Sequence, residues 1–120
     1  MVHPSMKAIS EAQLQACVMD LAKLHGLHVH HCRPARMASG KWATPIEGHK
    51  GFPDLVIVGP AGVLFRELKN ATNKLSPEQV SWLHTLDLAG ADAGVWRPED
   101  WARGRGRIAD EIHALAGRAS

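Results

Sequence analysis

The chain is 120 residues long, 45% apolar and 22% charged, with a formal net charge of +2. That size and composition fit one domain that buries about two-thirds of its unfolded surface, and they exclude a disordered tail; the mild positive charge permits a nucleic-acid partner without arguing for one. No apolar run approaches the ~18 to 20 residues of a membrane span, and the polar start MVHPSMK does not read as a signal peptide, so no membrane partner and a cytoplasmic location are expected.

Ser10 followed by Glu11, Ala12 and Gln13 has the form of a capping box, with Ser10 as N-cap and Gln13 at the third helical position. Leu14, Val18, Leu21 and Ala22 then recur at helical spacing until Gly26, which predicts a helix over this stretch. Glu11 shares the stripe of Leu14, Val18 and Ala22, an unusual place for a surface glutamate. Leu27 to Cys32 reads as a short strand, and residues 33–51 as a long basic loop of the kind that is usually functional or mobile. Asp54 to Val58 and Val63 to Leu68 are apolar, β-branched runs separated by Gly59-Pro60-Ala61-Gly62, a hairpin signal. Both faces of both runs are mostly apolar, so these are expected to be central strands covered on two sides. Ser76-Pro77-Glu78-Gln79 is a second capping box with proline at the first helical position, opening a helix that ends near Gly90. Ala93 to Trp96 is a further strand, and a last helix is expected from about Ile108, after the basic stretch of Arg103, Arg105 and Arg107. The order predicts an α/β fold with a mixed central sheet.

The hairpin carries the chemistry. Pairing back from a Gly59–Gly62 loop sets Val58 against Val63, Val56 against Phe65 and Asp54 against Glu67. Opposed residues of an antiparallel pair share a face with Cβ atoms about 4.5 to 5.5 Å apart, and Lys69 points the same way two residues on. Two carboxylates so close repel each other, and a divalent cation removes that penalty; oxygen ligands favour a hard ion, Mg²⁺ or Mn²⁺. Lys69 would then position or deprotonate a water, or offset phosphate charge. Glu11 and Gln79 each begin a helix and can reach the same end of the sheet. The ordinary reading of a lone D…ExK is a pair of strand-end residues with a solvated lysine. Pro53 before Asp54, the two strands and the two converging helix starts favour the functional one.

Pro53-Asp54 followed by Glu67-Leu68-Lys69 resembles the PD-(D/E)XK nuclease motif. The longer run of Gly51-Phe52-Pro53-Asp54-Leu55, Glu67-Leu68-Lys69, Leu75-Ser76-Pro77-Glu78-Gln79 with Trp82, and Ala89-Gly90-Ala91 leading to Val95-Trp96-Arg97-Pro98 resembles the VRR-NUC family within that superfamily. The likeness covers roughly Ser10 to Pro98. It implies a restriction-endonuclease-like core, a mixed central sheet flanked by helices on both faces, and metal-dependent phosphodiester hydrolysis. It also implies Asp54, Glu67 and the Leu68 carbonyl as metal ligands and Lys69 as the active-site lysine. The family's early-helix glutamate matches Glu11, which completes or orients the metal shell, and its following glutamine matches Gln79. Stand-alone members resemble structure-specific nucleases that act on four-way DNA junctions as homodimers. The expectation is therefore a single nuclease domain over residues 1–120, with its core at about 10–98 and a C-terminal helical extension at 99–120. Mg²⁺ or Mn²⁺ is its cofactor, without a small organic one, and a branched DNA junction its substrate. A nicking or flap nuclease, or a DNA-binding module on a nuclease scaffold, are the alternatives.

Lys41, Lys50, Lys74, Arg97 and Arg36 lie in loops flanking the proposed site and are candidates for phosphate contacts, against the plainer reading of a solvated surface. Trp42 could stack on an unpaired base, or fold under its loop; Trp82, Trp96 and Trp101 read as core or interface. His25, His28, His30 and His31 with Cys32 suggest a metal site, but no fourth ligand is spaced to close a zinc centre. His31 and His49 are further candidates for the scissile phosphate. Cys17 and Cys32 are read as reduced, buried small residues, too few for a disulfide framework.

Overall fold

Both predicted capping boxes form. In the computed structural model, which describes residues 9–32, 35–36, 42–43 and 48–117, the Ser10 hydroxyl accepts the Gln13 N–H at 3.1 Å and the Gln13 side chain accepts the Ser10 N–H at 2.9 Å. They open helix α1 (Glu11–Leu24), whose Leu14, Val18 and Ala22 are fully buried. It stops where Gly26 takes a φ of 73°, a left-handed turn that a side chain would oppose.

Strand β1 (His28–His31) follows, and the segment read as a loop contains a two-stranded ribbon of β2 (Ala35–Arg36) and β3 (Trp42–Ala43). Two-residue strands leave no alternation to read, so the ribbon is invisible in the sequence. Strands β4 (Leu55–Gly59) and β5 (Gly62–Leu68) form the predicted hairpin, with Val58 against Val63 and Val56 against Phe65. Helix α2 (Pro77–Leu88) then carries the chain to β6 (Asp92–Trp96), which pairs parallel with β5. The sheet order β1-β4-β5-β6 makes β4 and β5 central and the sheet mixed.

One face of the sheet is closed by α1 and α4 (Arg107–Leu115). Leu55, Ile57, Leu64, Leu68 and Trp96 pack there against Leu14, Val18, Ile108, Ile112 and Leu115. Each large side chain so buried contributes roughly 1.5 to 3 kcal/mol. The segment beyond residue 98 therefore completes the same core, and among the described residues no helix is long and apolar enough to cross a membrane. A short helix α3 (Pro98–Trp101) connects β6 to it, with the Arg97 N–H donating to the Asp100 carboxylate at 2.8 Å.

Arg66 breaks the apolar pattern on this face. It is 3% exposed, pairs with Glu111 at 2.5 Å and Asp92 at 2.7 Å, and stacks 5.2 Å over the Trp96 ring. This pairing satisfies a charge that would otherwise be very costly to bury. The opposite face is covered by α2 through the Phe52, Phe65 and Trp82 rings. Coverage thins toward the hairpin, where Val58 and Val63 stay 42% and 39% exposed. Cys32, expected to be buried, is exposed at the end of β1, because its strand lies at the sheet edge; Cys17 is half-buried, and both are free thiols.

Candidate active site

Asp54 sits one residue before β4, after the buried Pro53. Its carbonyl accepts the Cys32 N–H at 3.1 Å and its Oδ2 accepts the Leu68 N–H at 3.0 Å, so β1 and β5 both hold it. Continuing the observed register by one step from Leu55 against Arg66 puts Asp54 opposite Glu67. The two carboxyl groups lie close enough for Asp54 to raise the proton affinity of Glu67.

Glu67 is 2% exposed, and its Oε1 is buried with no hydrogen-bond partner. Burial, then the neighbouring Asp54 carboxyl, raise its pKa from the ordinary 4.5 to about 9; Lys69 opposes the rise and Glu11 adds to it. Glu11 also titrates above its ordinary value, through burial and then the charge of Asp54, with Lys69 again opposing. The structure thus brings Glu11, Asp54, Glu67 and Lys69 into one electrostatic neighbourhood at the end of the sheet. Lys69 is half-buried there, its backbone N–H donating to the Trp96 carbonyl at 3.1 Å.

Gln79 opens α2 as expected, but its side-chain oxygen accepts the Ser76 N–H at 2.9 Å. The cap therefore leaves its NH₂ group as the part available to donate elsewhere. Gly51 joins the Asp54 loop to the same helix turn. A Cβ there would lie 2.6 Å from the Glu78 carbonyl carbon, and its φ is +99°. Only glycine allows this approach without displacing backbone.

Two oxygen ligands, one with an unpartnered buried atom, fit a hard divalent cation that keeps most of its waters. Asp54 and Glu67, with the Leu68 carbonyl that the resemblance implies, are the groups that could hold one. Among the described residues no three of His, Cys, Asp and Glu converge as a ligand set.

The other candidates scatter. Lys50 is 72% exposed and lies 3.6 Å from Glu78, and Lys74 is exposed. Arg97 donates to the carbonyls of Asn70 and Asn73, both at 2.8 Å, and so staples the loop before α2. Lys41 and the side chains of Arg36 and Trp42 lie outside the described residues. His31 is 3.3 Å from the Gln15 amide. Arg107 pairs with Glu111 at 2.8 Å and Asp100 at 3.6 Å, while Arg103 and Arg105 are exposed. Sequence reasoning missed how the residues around Trp82 gather. The Trp82 indole N–H donates to the His49 carbonyl at 3.1 Å, and the ring stands perpendicular to Phe52 at 5.0 Å. The glycine before Phe52-Pro53-Asp54 was the available signal.

The model of the VRR-NUC domain matches residues 7–99. A solved VRR_NUC domain protein superposes with a TM-score of 0.60 at 20% identity, covering 90% of this chain and 91% of the other. A second solved VRR_NUC domain gives 0.55 at 18% identity, covering 93% and 100%. Comparison with curated proteins finds no match.

Proposed function

This chain belongs to the VRR-NUC family of nuclease domains, and from that premise we propose that it is a metal-dependent endonuclease that hydrolyses DNA phosphodiesters at branched, four-way junctions as a homodimer. The observation that carries the reading is the Asp54–Glu67 pair, half-buried at Asp54 and buried at Glu67, with its unpartnered oxygen and a Glu67 pKa of about 9. Such a pair is destabilising to keep and useful chiefly when a cation joins it.

In hydrolysis a water oxygen bonds to phosphorus as the bond to one ester oxygen breaks, and the leaving oxygen takes up a proton. Asp54, Glu67 and the Leu68 carbonyl would hold Mg²⁺ or Mn²⁺, which when bound would supply positive charge to the phosphate and acidify water. Lys69 orients the attacking water or offsets charge on the phosphate. The Gln79 NH₂ group positions the same water, and Glu11 would complete or orient the shell around the metal. Lys50 and Lys74 meet neighbouring phosphates without reading sequence. A two-fold dimer supplies one site for each of two symmetric cuts.

The test compares labelled four-way junction, flap and linear duplex of matched sequence, alongside sedimentation of the protein. Paired cuts in the junction alone, by a species of twice the chain mass, are expected. Equal cutting of all three, or a monomer in solution, overturns the junction and dimer parts of the reading.

A further inference from the structure

The residues leading to Asp54 and the exposed side of α2 line a cavity of about 580 Å³ that neither Asp54 nor Glu67 lines. Trp82, Lys50, Ser81 and Thr85 are among its walls. We propose that this cavity receives one unpaired nucleotide of a DNA strand, its base stacked on Trp82 and its phosphate met by Lys50. The proposal rests on the nuclease reading for its choice of DNA, and it deepens that reading by giving branched substrates a feature to recognise.

The size suits the ligand, since small-molecule sites run from about 300 to 1,000 Å³. The chemistry of the walls suits it as well. The indole N–H is Trp82's sole hydrogen-bonding group, and the His49 carbonyl already accepts it at 3.1 Å. What the ring offers a ligand is therefore π surface, which holds any base by stacking. Phe52, perpendicular at 5.0 Å, braces the ring. Ser81 and Thr85 are exposed hydroxyls that both donate and accept, so they suit any base edge. Lys50 is 72% exposed, and its 3.6 Å pairing with Glu78 is a loose surface one that a phosphate can replace.

The position argues further. Gly51 presses the loop onto the Glu78 backbone, so Lys50 and Trp82 are held as one unit. Lys50 precedes Asp54 by four residues, at most about 14 Å of chain, which is about four base steps of duplex. A base freed beside the scissile phosphate falls within that reach. Linear duplex offers none.

The experiment reads binding, not cleavage, on the full chain in chelator. The probes are a short fluorescein-labelled oligothymidylate and an abasic strand of the same length, followed by anisotropy. Wild type should bind the base-bearing strand about tenfold or more tighter than the abasic one, the usual effect of one aromatic stack. Trp82→Leu and Thr85→Leu should lose that difference, and Trp82→Phe should keep it. Equal binding of the two strands by wild type overturns the proposal, as does a Trp82→Leu variant that retains the preference. If Trp82→Leu does not fold, wild type and Thr85→Leu still decide. A base preference without cleavage under any metal would remove the nuclease reading and leave the cavity. Cleavage without a base preference would do the reverse.

Discussion

Replacing Glu67 with glutamine should stabilise the metal-free protein. Burial and Asp54 lift the Glu67 pKa from 4.5 to about 9, so at neutral pH the folded state keeps a proton that the unfolded chain releases. Holding that proton at about pH 7 costs about 3 kcal/mol, taking 1.36 kcal/mol for each unit above the unfolded pKa. Glutamine keeps the shape and a donor for Asp54 and carries no such cost. The gain corresponds to roughly 10 °C in Tm for a domain of this size. The sign follows from the raised pKa: wild-type stability is greatest below about pH 4.5 and falls as pH rises toward about pH 9, so the gap between the proteins widens over that window. Thermal melts of both proteins in chelator, at several pH values, measure it. Adding Mg²⁺ should raise the wild-type Tm and narrow the gap, because a ligand that binds only the folded state stabilises it. A variant that melts at or below wild type, or a gap independent of pH, would refute the claim that Glu67 is a destabilising buried acid.

Three further outcomes follow from the geometry. Lys69→Ala should lower the cleavage rate by about 10²-fold or more while Mg²⁺ binding, read by calorimetry, persists; a large loss of metal affinity would move Lys69 out of its assigned role. Gly51→Ala should destabilise by about 1 to 3 kcal/mol, seen as a shifted denaturant midpoint, and slow cleavage, because the Cβ collides with the Glu78 backbone and strains a left-handed φ. Glu111→Ala should cost about 3 kcal/mol or more in chemical denaturation, since it leaves the 3%-exposed Arg66 short of a partner. Arg66→Met combined with Glu111→Leu should recover most of that loss.

The parts of this molecule that were legible beforehand are those governed by local rules. Ser10 with Gln13 and Ser76 with Gln79 mark helix starts because cap chemistry acts over three residues. The Asp54–Glu67 pairing was legible because a glycine-bounded turn fixes hairpin register, and register fixes which side chains face each other. The Gln79 reading held for the cap, yet the same cap occupies the side-chain oxygen, a competition that spacing alone does not show. Arg66 was illegible for a tertiary reason. An arginine among apolar strand residues looks like an exposed position until Glu111, far along the chain, arrives to pair with it. The role of Arg97 Nη1 in bonding the loop carbonyls of Asn70 and Asn73 likewise needed the fold, which brings that loop to the end of β6. The exposure of Cys32 depends on which strand ends at the sheet edge, and strand order is set by the whole topology.

The most direct test of the central claim is cleavage of a labelled four-way junction with Mg²⁺, with Mn²⁺ and with chelator, by wild type and by Glu67→Gln. The account predicts cutting by wild type with either metal, none in chelator, and none by a variant that is folded and at least as stable. Cutting in chelator, or by Glu67→Gln at the wild-type rate, would contradict it.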